Sequence, residues 1–208
     1  MRCPRPRLFD AKMPAIAVCF AALLLNTSRV AGQGASTPTN TANATANLLT
    51  NGDIETGAGD APTAWARGAN IAGVTYRWAT DRGYESAHSL CLQKTAARFF
   101  PIASWNQSFE SDGAAKKLRV SAYIRADKVT KAVLDVSFTP AGAERHATHA
   151  WAVYLGNKSA VAAPLTHDWK RYTADVAIPE GTKTITVSPQ IYGPGTVWMD
   201  DIRAEYVP

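Results

Sequence analysis

Short runs of alternating apolar and polar residues fill most of the chain from Asn47 onward. In KKLRVSAYIRA every second residue from Leu118 to Ile124 is apolar, and KAVLDVSF, KRYTADVAI and KTITVSPQIYG follow the same pattern. Because successive side chains of a strand point to opposite faces, this period of two indicates strands with one buried face. Gly, Pro, Asn and Asp separate the runs. The pattern predicts an all-β domain of about nine to eleven strands that form one sandwich.

The beginning of the chain has a different character. Basic residues lie within residues 1–12, the apolar run PAIAVCFAALLL follows, and small residues come next as far as Gly32. This order is that of a secretory signal peptide, and the apolar run is too short for an ordinary membrane-spanning helix. An uncleaved anchor is the alternative. Residues 33–46 are rich in Ser, Thr, Asn and Ala. We predict a signal peptide over 1–32, a flexible linker over 33–46 and the sandwich over 47–208.

Removal of the signal peptide changes the charge of the chain. The whole sequence has a formal net charge of +5, but the predicted signal holds five of the 22 basic residues and one of the 17 acidic ones. A nearly neutral mature chain gives no reason to expect binding to nucleic acid or to an anionic membrane. Two of the three cysteines also lie in the signal, and Cys91 remains without an internal partner.

Several motifs occur in a fixed order along the predicted sandwich. NLLTNGDIETG is followed by APTAW, then by SAHSLCLQ, SWNQSF and KLRVSAYIRAD, and finally by HDWKRYTADVAIPEGTKTITV and GTVWMDDIRAEYV. Together they resemble the galactose-binding-like jelly-roll domains, the carbohydrate-binding modules attached to cellulases and xylanases. The resemblance spans Asn47 to Val207 and implies a jelly-roll β-sandwich of two antiparallel sheets. Ile54 stands where the family often has Phe. The stretch FTPAGAERHATHAWAVYLGNKSAVAAP has no counterpart that we can identify.

The last motif places Asp200 and Asp201 inside an apolar strand, where Asp is poorly suited. Members of the family commonly carry a structural calcium that joins the first strand to the last. The resemblance therefore implies that Glu55 and Asp201 bind calcium, an ion that takes six to eight oxygen ligands. Asp201 is in phase with Val197 and Met199, so we expect it to be the buried aspartate and Asp200 to lie outside. The alternative is that both charges protect a sheet edge.

Polysaccharide binding requires exposed aromatic faces together with planar polar groups. Aromatic rings stack on the C–H faces of sugars, and amide or guanidinium groups bind hydroxyls through directed hydrogen bonds. We expect Trp65, Trp169 and Trp198 to pack in the core. For each candidate, packing in the core is the alternative interpretation. The candidate ligand-binding residues are Trp78, Trp105, Gln107, Tyr123, Arg125, Trp151, Gln190 and Tyr192.

Motifs for catalysis are weak. The sequence has neither a G-x-S-x-G elbow nor an H-E-x-x-H motif. His146 and His149 are three apart, which in a strand sends them to opposite faces and disfavours a zinc site. Cys91 has no basic neighbour along the chain to activate its thiol. We therefore predict no catalytic residues.

These observations lead to one functional prediction with two alternatives. We predict a secreted, cell-surface or periplasmic monomer that binds polysaccharide without chemistry, with no integral membrane span in the mature chain. The first alternative is a glycoside hydrolase or lyase on the same scaffold, since a fold does not determine a function. The second is a structural or protein-binding sandwich at the cell surface.

Overall fold

The structure, a computed structural model, describes residues 46–142, 146–156 and 163–208. The predicted signal peptide and nearly all of the predicted linker lie outside the described residues. No helix among the described residues is long and apolar enough to span a membrane. The strands are β1 (Gly57–Ala58), β2 (Ala61–Pro62), β3 (Ala66–Arg67), β4 (Val74–Ala79), β5 (Ser89–Lys94), β6 (Ala103–Glu110), β7 (Lys117–Val129), β8 (Lys131–Pro140), β9 (Thr148–Gly156), β10 (Leu165–Ala177), β11 (Thr182–Ile191) and β12 (Gly195–Val207).

Two five-stranded sheets pack into a sandwich. Sheet I has the order β10-β7-β12-β5-β4, and sheet II has the order β3-β6-β11-β8-β9, while β1 and β2 pair separately. All neighbouring strands are antiparallel. The chain crosses from one sheet to the other between β10, β11 and β12. The prediction of an all-β sandwich with two antiparallel sheets is therefore confirmed.

The inner faces of the two sheets form one apolar core, as the alternation predicts. On β7, Leu118 and Ile124 are fully buried, whereas Arg119 between them is exposed. On β8, Leu134 and Val136 are fully buried in the same cluster. Each square ångström of apolar surface removed from water contributes about 25 cal/mol. The core thus stabilises a domain whose described residues hold a single, free cysteine.

The NLLTNG segment joins the start of the domain to its last strand. Asn47 donates from Nδ2 to the Ile202 carbonyl at 3.0 Å, and its Oδ1 accepts from the amide of Ala204 at 2.9 Å. The Ile202 amide donates to the carbonyl of Gly52 at 2.8 Å. A Cβ at Gly52 would overlap the Ile202 carbonyl oxygen, so glycine is required at this close approach. The motif therefore acts as a clamp between the two ends of the sandwich.

The expected burial of the aspartate pair on β12 is wrong. Asp200 is 1% exposed, whereas the side chain of Asp201 is 32% exposed and pairs with Arg203 at 3.0 Å. Asp200 does point away from the core, but the segment from Tyr84 to Ser86 covers it. Asp201 occupies a β-bulge, with a φ of 41° and a shift in register against β7. The bulge adds a residue and breaks the phase that links Asp201 to Met199.

Candidate functional site

Aromatic side chains cluster on the outer face of sheet II. The exposed large apolar residues among the described ones are Phe99 (42%), Phe100 (66%) and Trp151 (50%). Tyr192 connects them, because its ring lies 5.8 Å from that of Trp151 and 6.3 Å from that of Phe100, both edge to face. Tyr154 lies 6.0 Å from Trp151. We call these five residues the aromatic patch.

A strip of polar side chains lies beside the aromatic patch on the same face. Asp135 on β8 is 2% exposed, and its Oδ2 lies 2.8 Å from His149 Nδ1 and accepts from Gln190 Nε2 at 3.3 Å. Further along, Ser188 donates to Asn106 Oδ1 at 2.7 Å. We call these five residues the polar strip. It crosses four neighbouring strands of sheet II, in the order β6, β11, β8 and β9.

Two acceptor oxygens of the polar strip have no donor among the described residues. These are Asp135 Oδ1 and Gln190 Oε1, and both are buried. Buried polar atoms without a partner are uncommon in folded proteins, because each one loses its hydration without compensation. Burial raises the pKa of Asp135, and the hydrogen bonds from His149 and Gln190 act against this rise. The centre of the strip therefore holds two buried acceptor oxygens that no donor among the described residues satisfies.

Lys131, at the start of β8, lies in the middle of the aromatic patch. Its Nζ is 4.0 Å from the centroid of Trp151 and 4.1 Å from that of Tyr192. Tyr154 and Phe99 lie at 5.6 and 6.0 Å. Such distances are those of cation–π contacts. Burial lowers the pKa of the Lys131 ammonium.

Three of the predicted ligand-binding residues come together on this face of the sandwich. Trp151 and Tyr192 belong to the aromatic patch, and Gln190 belongs to the polar strip. The other five candidates lie elsewhere. The structure places Trp78, Trp105 and Gln107 on the inner side of the sandwich and Tyr123 and Arg125 on the outer face of sheet I.

The inner candidates have structural partners. Trp105 is 2% exposed and donates from Nε1 to the Cys91 carbonyl at 3.3 Å. Gln107 holds Thr50 through two hydrogen bonds, accepting from its amide at 2.7 Å and donating to its carbonyl at 2.9 Å. Trp78 donates to the Ile54 carbonyl at 2.8 Å. The expectation that these side chains are available at the surface is thus corrected.

The candidates on sheet I are engaged by neighbouring side chains. Tyr123 stacks on Tyr84 with ring centroids 3.4 Å apart. Arg125 pairs with Asp168 at 2.9 Å and lies 5.8 Å from the ring of Trp198. Both point outward as the alternation predicts. They share no face with Trp151.

The outer face of sheet I also corrects two expectations from the sequence. Trp198 is only 7% exposed, but it packs with Cys91 and Ala79 on this outer face and not in the main core. Trp169 is partly buried against the same cluster. Cys91 does have a basic neighbour across the sheet, because Arg77 donates to its Sγ at 3.3 Å. Burial nevertheless raises the pKa of the Cys91 thiol.

Sequence reasoning did not select Lys131, Asp135, His149, Phe99 and Tyr154 as site residues. The alternation in KAVLDVSF does place Asp135 on the outer face. An acidic residue in the middle of a strand that is paired on both sides could have indicated a binding site. Its neighbours on β9 could not be assigned. A register shift between Leu134 and Asp135 against β9 decides which residues of HAWAVY face outward. Nothing in the period of two indicates that shift.

The predicted calcium ligands need a test of their own. Glu55 accepts from the His88 amide at 3.0 Å and lies 2.8 Å from His88 Nδ1. Asp200 accepts from the Tyr84 amide at 2.7 Å and from Ser86 Oγ at 3.0 Å. Burial raises the pKa of Glu55, but hydrogen bonding by His88 and Ser86 outweighs this effect and lowers that pKa.

This donor set fits a hard cation in its chemistry, because both groups are carboxylates at the joint between the ends of the domain. It supplies only part of the coordination shell. The described residues contain no group of three or more His, Cys, Asp and Glu side chains that could hold a metal ion. Backbone oxygens would have to supply the other ligands.

Solved structures share the fold of this chain. The tandem CBM22-1–CBM22-2 domain of Paenibacillus barcinonensis Xyn10C matches 80% of this chain and 46% of its own, with 11% identity and a TM-score of 0.53. The CBM22-1–GH10 modules of Clostridium thermocellum Xyn10B, complexed with xylohexaose, match 70% of this chain and 26% of their own, with 10% identity and a TM-score of 0.51. The enzymatically active domain of bacteriophage CBA120 tailspike protein 4 matches 77% of this chain, with 11% identity and a TM-score of 0.49.

This chain therefore spans 21% of the tailspike domain, 26% of the xylanase and 46% of the tandem. No protein-family model and no curated protein matches the chain. The two CBM22 structures confirm the resemblance to jelly-roll carbohydrate-binding modules as a resemblance in fold.

Proposed function

We propose that the protein binds a polysaccharide non-covalently on the outer face of sheet II. The observation that carries this proposal is that Trp151, half exposed, lies on the same face as Gln190 and Asp135 with their spare acceptor oxygens. The aromatic patch would stack against the apolar face of a sugar ring. The polar strip would take hydroxyl hydrogens from the next unit of the chain.

The carbohydrate-binding modules that share the fold support this choice of ligand class. One of them, solved together with its GH10 module, is a complex with xylohexaose, so a xylan chain is the first ligand to test. The same proposal includes a secreted or cell-surface location, in agreement with the signal peptide that the sequence predicts. It also includes action as a non-catalytic monomer.

We propose in addition that calcium binds between Glu55 and Asp200, in place of the pair Glu55 and Asp201. The support is that Ser86 donates to Asp200 and also lowers the pKa of Glu55, and that Asp200 is buried. A bound ion would stiffen the joint between the NLLTNG clamp and β12. It would have no part in contacting the sugar.

Affinity electrophoresis tests the polysaccharide proposal. The purified protein migrates through gels that contain xylan, galactan, glucan or mannan, with a gel lacking polysaccharide as reference. Retardation by at least one polymer, without shortening of that polymer, is the expected result. A folded protein that none of the polymers retards would remove the proposal and favour a structural or protein-binding role. Shortening of the polymer would favour the enzyme alternative.

A further inference from the structure

We propose that Lys131 makes this face selective for glycans with anionic sugar units, which carry a carboxylate or a sulfate ester. This inference rests on the proposed function, because it specifies the chemistry of the ligand at the same site. It concerns the aromatic patch and leaves the polar strip to bind hydroxyls.

The ammonium of Lys131 lies against the two rings at the centre of the aromatic patch. Lys131 Nζ lies within 4.1 Å of the centroids of both Trp151 and Tyr192, the two rings at the centre of the patch. The ammonium lies over one face of the Trp151 ring, so a substituent of a sugar bound at this ring can approach a full positive charge. A lysine at the rim could swing into water, but this one has aromatic rings on several sides.

The ammonium of Lys131 has no counter-charge among the described residues. Among the described residues, no carboxylate lies within ion-pair distance of Lys131. The acid on the same face of β8 is Asp135, and its carboxylate is engaged by His149 and Gln190. Cation–π contacts compensate part of the lost hydration of the ammonium, but they supply no opposite charge. An anionic group on the ligand would supply it.

A second lysine, Lys94, lies beneath the loop that carries Phe99. Lys94 is 2% exposed and donates from Nζ to the carbonyls of Phe99 and Pro101, at 3.2 and 2.7 Å. Burial lowers the pKa of Lys94, and the charge of Arg98 adds to this effect. Cations therefore stand both within the patch and beneath the loop that carries Phe99. Their field favours an anion at the aromatic patch. It does not oppose hydroxyl contacts at the polar strip.

Neutral and anionic sugars should then differ in a measurable way. A neutral pyranose gains from stacking on Trp151 but nothing from the charge of Lys131. A uronate or sulfated unit gains both, and its charge contribution is sensitive to salt. Lysine binds such groups as a point charge, so the structure does not require one anion over the other.

The test compares three classes of polymer against two variants in the full chain. Neutral arabinoxylan, a uronate-bearing glucuronoxylan and a sulfated galactan are titrated against the wild type, Lys131→Met and Lys183→Met. Lys131→Met keeps a long apolar side chain between the rings. Lys183 is exposed and pairs with Glu110 at the start of β11, the end of that strand opposite Tyr192, which makes its substitution the matched control.

We expect the wild type to bind at least one anionic polymer about tenfold more tightly than the neutral one, a preference of the size that one well-placed ion pair gives. Lys131→Met should lose that preference, because its affinity for the anionic polymers should fall more than its affinity for the neutral one, and Lys183→Met should behave as the wild type. Raising the salt concentration should reduce the preference of the wild type and of Lys183→Met, both of which keep the Lys131 charge. The polymer that shows the preference distinguishes a carboxylate from a sulfate ester.

The outcomes separate this inference from the function on which it rests. Equal binding of neutral and anionic polymers by the wild type overturns the inference and leaves polysaccharide binding intact. An equal loss of all ligands in Lys131→Met also overturns it, because Lys131 would then only support the rings. Failure of a folded wild type to bind any polymer overturns the proposed function, and this inference with it.

Discussion

The ammonium of Lys131 lies 4.0 Å from the centroid of the Trp151 ring, although the two residues are not paired across the sheet. Lys131 pairs with Gly156, and Trp151 pairs with Asp135. The long lysine side chain therefore runs along the outer face and places its ammonium over the Trp151 ring. A supported ring loses less rotamer freedom when a ligand stacks on it, which favours binding. The aromatic patch is thus organised before a ligand arrives.

Replacement of Trp151 by alanine should reduce affinity for the bound polysaccharide by about tenfold or more, as expected for a central aromatic anchor. The melting temperature should change little, because half of the side chain is already exposed. Affinity electrophoresis and thermal unfolding measure the two effects. Trp169→Ala, on the outer face of sheet I, is the matched control. Equal losses of affinity in both variants would contradict a site on sheet II.

Replacement of Gln190 by alanine should weaken binding by a factor of a few, since it removes one hydroxyl partner from the polar strip. It also frees Asp135 from one of its two hydrogen-bond donors. The control is Gln93→Ala, an exposed amide on sheet I. Isothermal titration with a xylo-oligosaccharide measures the difference. Unchanged affinity in Gln190→Ala would exclude the polar strip from the site.

The stability of the domain should depend on pH through Asp135. Burial raises its pKa above the ordinary value of 3.8, so the folded state holds the proton more tightly than the unfolded state. The contribution of Asp135 is therefore most favourable below that ordinary value and is lost as pH rises towards the raised pKa. As pH rises from about the ordinary value of 3.8 through the raised pKa, Asp135→Asn should lose less unfolding free energy than the wild type.

Asp175 provides a control of opposite sign. A hydrogen bond from Arg119 lowers its pKa, so its contribution is present above the ordinary pKa and is lost as pH falls through the lowered value. Urea unfolding of wild type, Asp135→Asn and Asp175→Asn across the acidic range measures both slopes. If Asp135→Asn and the wild type have parallel profiles, the buried state of Asp135 is contradicted.

The proposed calcium site predicts different behaviour for the two neighbouring aspartates. The wild type should melt at a higher temperature in calcium than in EDTA, by an amount that corresponds to about 2.7 kcal/mol when calcium is 100 times its dissociation constant. Asp200→Asn should lose this response and Asp201→Asn should keep it. A wild type that melts identically in calcium and EDTA would contradict the proposal. A response lost only in Asp201→Asn would restore the original assignment.

The Asn47 clamp should make a large contribution to stability. Its side chain donates to the Ile202 carbonyl and accepts from the amides of Leu49 and Ala204. Asn47→Ala should cost about 2 to 3 kcal/mol of unfolding free energy, because it leaves backbone groups without partners. Asn70→Ala, at an exposed position, is the control. A cost equal to that of the control would show that the clamp is dispensable.

The sequence predicts the strands better than the site, for a physical reason. A period of two survives in β7 and β8 because one face of each strand must be apolar. The same rule could have placed Trp105 correctly, since Ser104, Asn106 and Ser108 mark the opposite, outward face. It could not tell that Tyr123 and Trp151 face outward from different sheets. That distinction depends on the order of strands in each sheet.

Bulges account for the other differences. At Asp201 the extra residue reverses the expected burial of the aspartate pair, and on β9 the register shift turns Trp151 towards Asp135. Each shift depends on contacts between strands that are distant in sequence. No local pattern in MDDI or HAWAVY encodes them.

The most direct test of the central claim is an NMR titration that follows the indole N–H signals of the six tryptophans as a xylo-oligosaccharide or a uronate-bearing oligosaccharide is added. All six lie in the described part of the chain, and among them Trp151 stands on the outer face of sheet II. The account predicts that the Trp151 signal moves first and most, while Trp105 in the core and Trp198 on sheet I stay in place. Movement confined to Trp169 and Trp198, with Trp151 unaffected by a ligand that binds, would contradict it.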